Sequence, residues 1–129
     1  MKVINYDIDE YEYVISIGQN EKDNWLIIDN ADNDDLWFHV DNKPSCHVIL
    51  SQKPKKKQKL NYSKQIVTMC ANYCANSLKG NCKKVDVIFT KINNIKKGRA
   101  IGSVNIINES RVCKIKTSTV LLNEYDGND

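Results

Sequence analysis

Two apolar runs of equal length, LWFHV (36–40) and CHVIL (46–50), are separated by DNKPS, and this pairing restricts the fold more than any other feature of the chain. A five-residue connection containing proline is of hairpin length. Closing it predicts an antiparallel pair in which residue 40 faces 46, 39 faces 47 and 37 faces 49. Side chains alternate across a strand, so one face carries Leu36, Phe38, Val40, Cys46, Val48 and Leu50, apolar throughout. The other carries Trp37, His39, His47 and Ile49. Both histidines of the chain thus become cross-strand neighbours beside one of its two tryptophans.

The remaining elements are organised around this hairpin. VINYDI (3–8) and YVISIG (13–18) predict two short strands about an acidic turn, and QNEKDNWLII (19–28) a helix. From Asn61 to Leu78 the apolar positions 66, 67, 70, 71, 74 and 78 fall on one helical stripe, with Gly80 as a stop. VDVIFT (85–90) predicts a strand and INNIKKGRAIG (92–102) a basic loop. SVNII (103–107) and RVCKIK (111–116), flanking Asn108-Glu109-Ser110, predict a closing hairpin. The order β-β-α-β-β-α-β-β-β is α+β: a single domain, mostly antiparallel sheet, with two main helices.

At 129 residues the chain is long enough for one hydrophobic core. Its 41% hydrophobic and 27% charged residues place it among globular rather than disordered chains. No run approaches the roughly 18 apolar residues of a membrane span, and MKVINYDIDEYEY lacks the apolar centre of a signal peptide. The five cysteines include no C-x-x-C pair, so reduced, structural thiols and a cytoplasmic location are expected.

The net charge of +3 conceals a segregation. Eleven acidic residues lie in 1–41 against Lys2 and Lys22, whereas 42–123 hold seventeen basic residues against Asp86 and Glu109. Glu124, Asp126 and Asp129 make the tail acidic. Such separation points to a polyanion-binding surface, unless folding mixes the two halves. The candidate phosphate contacts are Lys53, Lys55, Lys56, Lys57 and Lys59 in the loop SQKPKKKQKLN, with Lys96, Lys97 and Arg99 further on. Trp37, His39 and His47 would stack on unpaired bases if their face is open, and are core if a helix covers it.

Enzymatic chemistry has little support. G-x-S-x-G, P-loop and dinucleotide fingerprints are missing, so no catalytic residue or cofactor is expected. The sharpest enzymatic alternative is a metal held by His39 and His47 with Asp35 and Asp41 nearby, but only two histidines exist, the cysteines lack ligand spacing, and no metal site is expected.

The block Asp35-x-Trp37-Phe38-His39, followed eight residues later by His47 in Pro44-Ser45-Cys46-His47-Val48, resembles the NFACT-R family of RNA-binding domains. The likeness extends to Gly18-Gln19-Asn20 with Asn24, the Ala/Cys-rich CANYCANSLKG, VDVIFT ending at Thr90, Lys96-Lys97 and Gly102. It spans residues 13–117 of a single domain over 1–129, with 118–129 as an acidic tail. The small stand-alone eukaryotic type is the better match, although no coiled-coil pattern follows residue 117. The resemblance implies an α+β fold and non-catalytic binding of structured RNA, tRNA or rRNA, in translation or ribosome quality control. DNA is a further possible ligand and the ribosome a possible partner. It also implies that Asp35 either holds the Trp37 face by hydrogen bonding or contacts RNA. Gln19 replaces the family's usual Arg or Lys, removing an expected phosphate contact. The alternative function is a protein-interaction module that docks on the ribosome or a translation factor.

Overall fold

The computed structural model describes residues 1–8, 11–54, 62–78 and 84–118. Two strands open the chain, β1 (Lys2–Ile8) and β2 (Tyr11–Ile17), then a helix, α1 (Glu21–Asp29). β3 (Leu36–Val40) and β4 (Val48–Pro54) lead to the second helix, α2 (Lys64–Ala75). β5 (Val85–Lys91), β6 (Ile95–Lys97), β7 (Val104–Ile106) and β8 (Cys113–Thr117) complete it. Six strands form one antiparallel sheet in the order β1-β2-β4-β3-β5-β8, and β6 pairs with β7 in a separate two-stranded arm. The fold class is α+β, as expected.

Local chemistry sets the helix starts. Asn20 caps α1 by accepting from the Asp23 amide, and Ser63 caps α2 by accepting from the Ile66 amide. α2 lies on the sheet face formed by Tyr13, Ile15, Phe38, Val40, Val48, Leu50, Val85 and Val87, and presents Ile66, Cys70, Ala71 and Cys74 to it. Phe38, Val48, Leu50, Ile66, Cys70 and Cys74 are fully buried. At about 1.5–3 kcal/mol for each large apolar side chain, this layer dominates the stability.

The β3–β4 register is the expected one, with Trp37 opposite Ile49 and Phe38 opposite Val48, but the ladder is shorter. Pairs 39/47 and 40/46 do not form. The Val40 amide instead donates to Ser45 Oγ, and Asn42 turns through the left-handed region at φ 60°. β4 also runs beyond residue 50: paired with β2 along its whole length, it places Lys53 on a strand opposite Glu12 rather than in a loop. Lys55, Lys56, Lys57 and Lys59 lie outside the described residues.

The expected hairpin of 103–107 with 111–116 does not form. β7 pairs back onto β6, in a stretch expected to be a basic loop, and β8 pairs with β5. The cause is visible in the side chains: Ile95, Val104 and Ile106 pack with Ile27, Trp37, Ile49 and Ile92 in a second apolar cluster on the other sheet face. The adjacent Lys96 and Lys97 of β6 mask that pattern in the sequence.

Candidate nucleic-acid interface

The backbone around the histidines is set by Gly18 and Asn24. The Gly18 amide donates to the His47 carbonyl at 2.9 Å, and the Asn24 Oδ1 accepts from the His47 amide at 3.4 Å. A Cβ on residue 18 would stand 2.2 Å from that same Asn24 oxygen and 3.1 Å from the Asn24 backbone nitrogen, so a larger residue would push the Asn24 side chain off the His47 amide.

Trp37, His39 and His47 come together as expected from the sequence. The His39 ring stacks on the Trp37 ring with centroids 5.7 Å apart and planes 14° from parallel. His47 meets both edge-on, 5.6 Å from Trp37 and 4.9 Å from His39. The Trp37 indole N–H donates to His47 Nδ1 at 3.1 Å, which puts the His47 proton on Nε2. His39 Nδ1 lies 2.6 Å from the Val40 carbonyl. A carbonyl can only accept, so His39 carries its proton on Nδ1 and keeps Nε2 as an acceptor. Burial, reinforced by the neighbouring His39, depresses His47 to about 4. Burial also lowers His39, against the opposing pull of the Val40 carbonyl and Asp41. Both rings are neutral at neutral pH.

The expectation of an open stacking platform needs correction. α1 and the β6–β7 arm cover this face, leaving Trp37 2% and His47 4% exposed. Of the three rings, His39 is the one that is half-buried. Asp35 is buried too; its carboxylate accepts from Ser51 Oγ at 2.6 Å and from the Asp32 amide at 2.9 Å. Burial raises the Asp35 carboxyl, and the Ser51 bond opposes that rise. Asp35 therefore ties the loop before β3 to β4.

The arm leaves a cleft of about 690 Å³ against the sheet. His39 and Ile88 lie on its sheet side, Val104 and Ile106 on its arm side, and Asp41 and Glu109 also line it. Lys114, on the β8 rim, is paired to Asp41 at 3.0 Å. The expected cations are placed unequally. Lys97 is held by Asp29 at 2.6 Å and lies over the Trp25 ring at 5.2 Å, so α1 already engages its charge. Lys53, Lys96 and Arg99 are exposed. Sequence reasoning missed the cleft residues Ile88, Val104, Ile106, Glu109 and Lys114. The alternation in RVCKIK signalled Lys114; Val104 and Ile106 had no such signal, because their segment was assigned to the wrong partner. Among the described residues no group of three or more His, Cys, Asp or Glu is placed to hold a metal ion.

A family model described as the NFACT protein RNA binding domain matches residues 2–108. Coiled-coil domain-containing protein 25 of Mus musculus is 37% identical over 89 residues, which is 66% of this chain and 41% of that protein. Its Bos taurus counterpart is 35% identical over 88 residues, with the same coverage. The chain thus spans less than half the length of these relatives. Among solved structures, the C-terminal part of the fibronectin/fibrinogen-binding protein from Streptococcus suis superposes with a TM-score of 0.68 at 21% identity, covering 84% of this chain and 42% of that one. That likeness is one of fold.

Proposed function

The chain belongs to the NFACT protein RNA binding domain family, and from that membership we propose that it binds structured RNA, tRNA or rRNA, without catalysis, in a cytoplasmic translation or ribosome quality-control setting. The observation that carries this is the family match across residues 2–108. Two features support it. The exposed Lys53, Lys96 and Arg99 are available to phosphates, and the lined cleft beside His39 offers room for an unpaired base. Among the described residues no helix is long and apolar enough to cross a membrane.

A second reading, docking on a ribosomal or translation-factor protein, draws on the internal pairing of Lys91, Lys97 and Lys114 with Asp34, Asp29 and Asp41. That pairing reduces the cationic charge open to phosphate. Fluorescence anisotropy with a folded tRNA and an rRNA hairpin, repeated across a salt series, separates the two. RNA binding requires affinity that falls steeply with salt, and replacing Lys55, Lys56 and Lys57 with Gln should reduce the log–log slope by about 0.7–0.9 for each phosphate no longer neutralised. Undetectable binding to both RNAs at low salt overturns the RNA assignment in favour of protein docking.

A further inference from the structure

We propose that the cleft between the sheet and the β6–β7 arm receives one unpaired nucleobase bearing an amino group, while the phosphate backbone stays outside. This deepens the RNA-binding assignment and rests on it. The cleft measures about 690 Å³, inside the roughly 300–1,000 Å³ of small-ligand sites. Its two sides suit the two faces of a planar ring: Ile88 on the sheet, Val104 and Ile106 on the arm. The stack on Trp37 holds the His39 ring in place beside them.

The polar lining decides which part of a nucleotide fits. Glu109 contributes a carboxylate and Asp41 a second one, shared with the Lys114 ammonium, and carboxylates accept hydrogen bonds and repel phosphate. His39, with its proton on Nδ1, adds an acceptor at Nε2. Among the described lining residues the cation is Lys114, and its ammonium is occupied by Asp41. Asn42, Ser103 and Asn105 bring donors as well as acceptors, and His47 a donor at Nε2. The two carboxylates and His39 Nε2 nonetheless tip the lining towards acceptors, which select donors. Adenine, cytosine and guanine carry exocyclic amino groups, whereas uracil offers a ring N–H between two carbonyl acceptors. The neutral state of His39 agrees with this, because a protonated His39 would donate from Nε2 instead. Phosphates are left to the exposed cations outside the cleft.

Short homopolymers of adenylate, cytidylate and uridylate, titrated by anisotropy at one salt concentration, test the assignment. The adenylate and cytidylate strands should bind about fivefold or more tightly than uridylate, the low end of what one good base-edge contact discriminates. Glu109→Ala, in an exposed turn, should narrow that gap while thermal unfolding stays unchanged. His39→Phe keeps a ring packed on Trp37 and removes the Nε2 acceptor, and should narrow it as well. A gap that neither substitution narrows, equal affinity for all three strands, or a preference for uridylate overturns the base cleft and leaves RNA binding standing. Failure of every strand and of folded tRNA to bind overturns the RNA-binding assignment with it.

Discussion

Replacing Trp37 tests the burial of the histidine face most directly. The indole is 2% exposed among Ile27, Ile49, Ile92 and Ile95, and its N–H satisfies a buried His47 nitrogen. Trp37→Ala removes the whole ring, at about 3–5 kcal/mol for a buried aromatic. It also strands His47 Nδ1, worth a further ~1–3 kcal/mol unless water fills the space. Against a total stability of about 5–15 kcal/mol, that variant should lose around half of its stability or more. Trp37→Phe is more informative. Most of the apolar contact survives, so its cost is the lost hydrogen bond plus a small cavity, roughly 2–4 kcal/mol in all. Urea denaturation followed by circular dichroism measures this directly, and thermal unfolding should fall by roughly 5–15 °C. RNA affinity, measured where the variant is still folded, should stay within about threefold, or ~0.6 kcal/mol, of the parent. A Trp37→Phe protein as stable as the parent but greatly weakened in RNA binding would refute the reasoning, because the indole would then be touching ligand rather than holding the fold.

Acid should destabilise the protein through the same cluster. His47 ionises near 6.5 unfolded but about 4 folded, so its contribution is complete above pH 6.5 and is lost as pH falls towards 4. The loss reaches at most about 3 kcal/mol, and His39 adds to it with the same sign. The raised Asp35 carboxyl works in the opposite direction at the lower end. Unfolding midpoints in urea at pH 7 and pH 5 check the sign, and equal midpoints would contradict it. Gly102 sits at φ 86°, and a Cβ there would stand 2.8 Å from Glu21 backbone atoms, so Gly102→Ala should cost about 1–3 kcal/mol, read as a lower denaturation midpoint.

The α2 layer of the fold was legible in the sequence because a single period generates it. Phe38 and Val48 face the core, and positions 66, 67, 70, 71 and 74 are buried on α2, as their spacing required. The histidine cluster was legible for the same reason. Alternation says which residues share a face, but not whether that face is covered. Trp37 therefore could be placed beside His39 and His47, while its burial depended on what else lay over it. The cover comes partly from β6 and β7, three residues each, too short to show a period and studded with Lys96 and Lys97. Asp35 illustrates the same limit. Its acceptors are obvious, but that they turn inward to Ser51 depends on β4 continuing past the expected end of the hairpin.

Asn94 is fully buried, and its amide nitrogen donates to Thr90 Oγ1 and to the Asn108 carbonyl, each at 3.0 Å. Its amide oxygen accepts from the Asn108 backbone at the same distance. Thr90 Oγ1 in turn donates to the Arg111 carbonyl. One side chain thus behaves as a peptide group, splicing the start and the end of the arm to β5 where no ladder joins them. Beyond this splice the arm is held by side-chain packing of Ile95, Val104 and Ile106 and by the Lys97–Asp29 pair, not by ladder bonds to the six-stranded sheet, so it should release as a unit ahead of that sheet. In amide hydrogen exchange, β6 and β7 should form their own protection class, with an opening free energy well below that of β3 and β5. The cleft they wall would then form and vanish as one object.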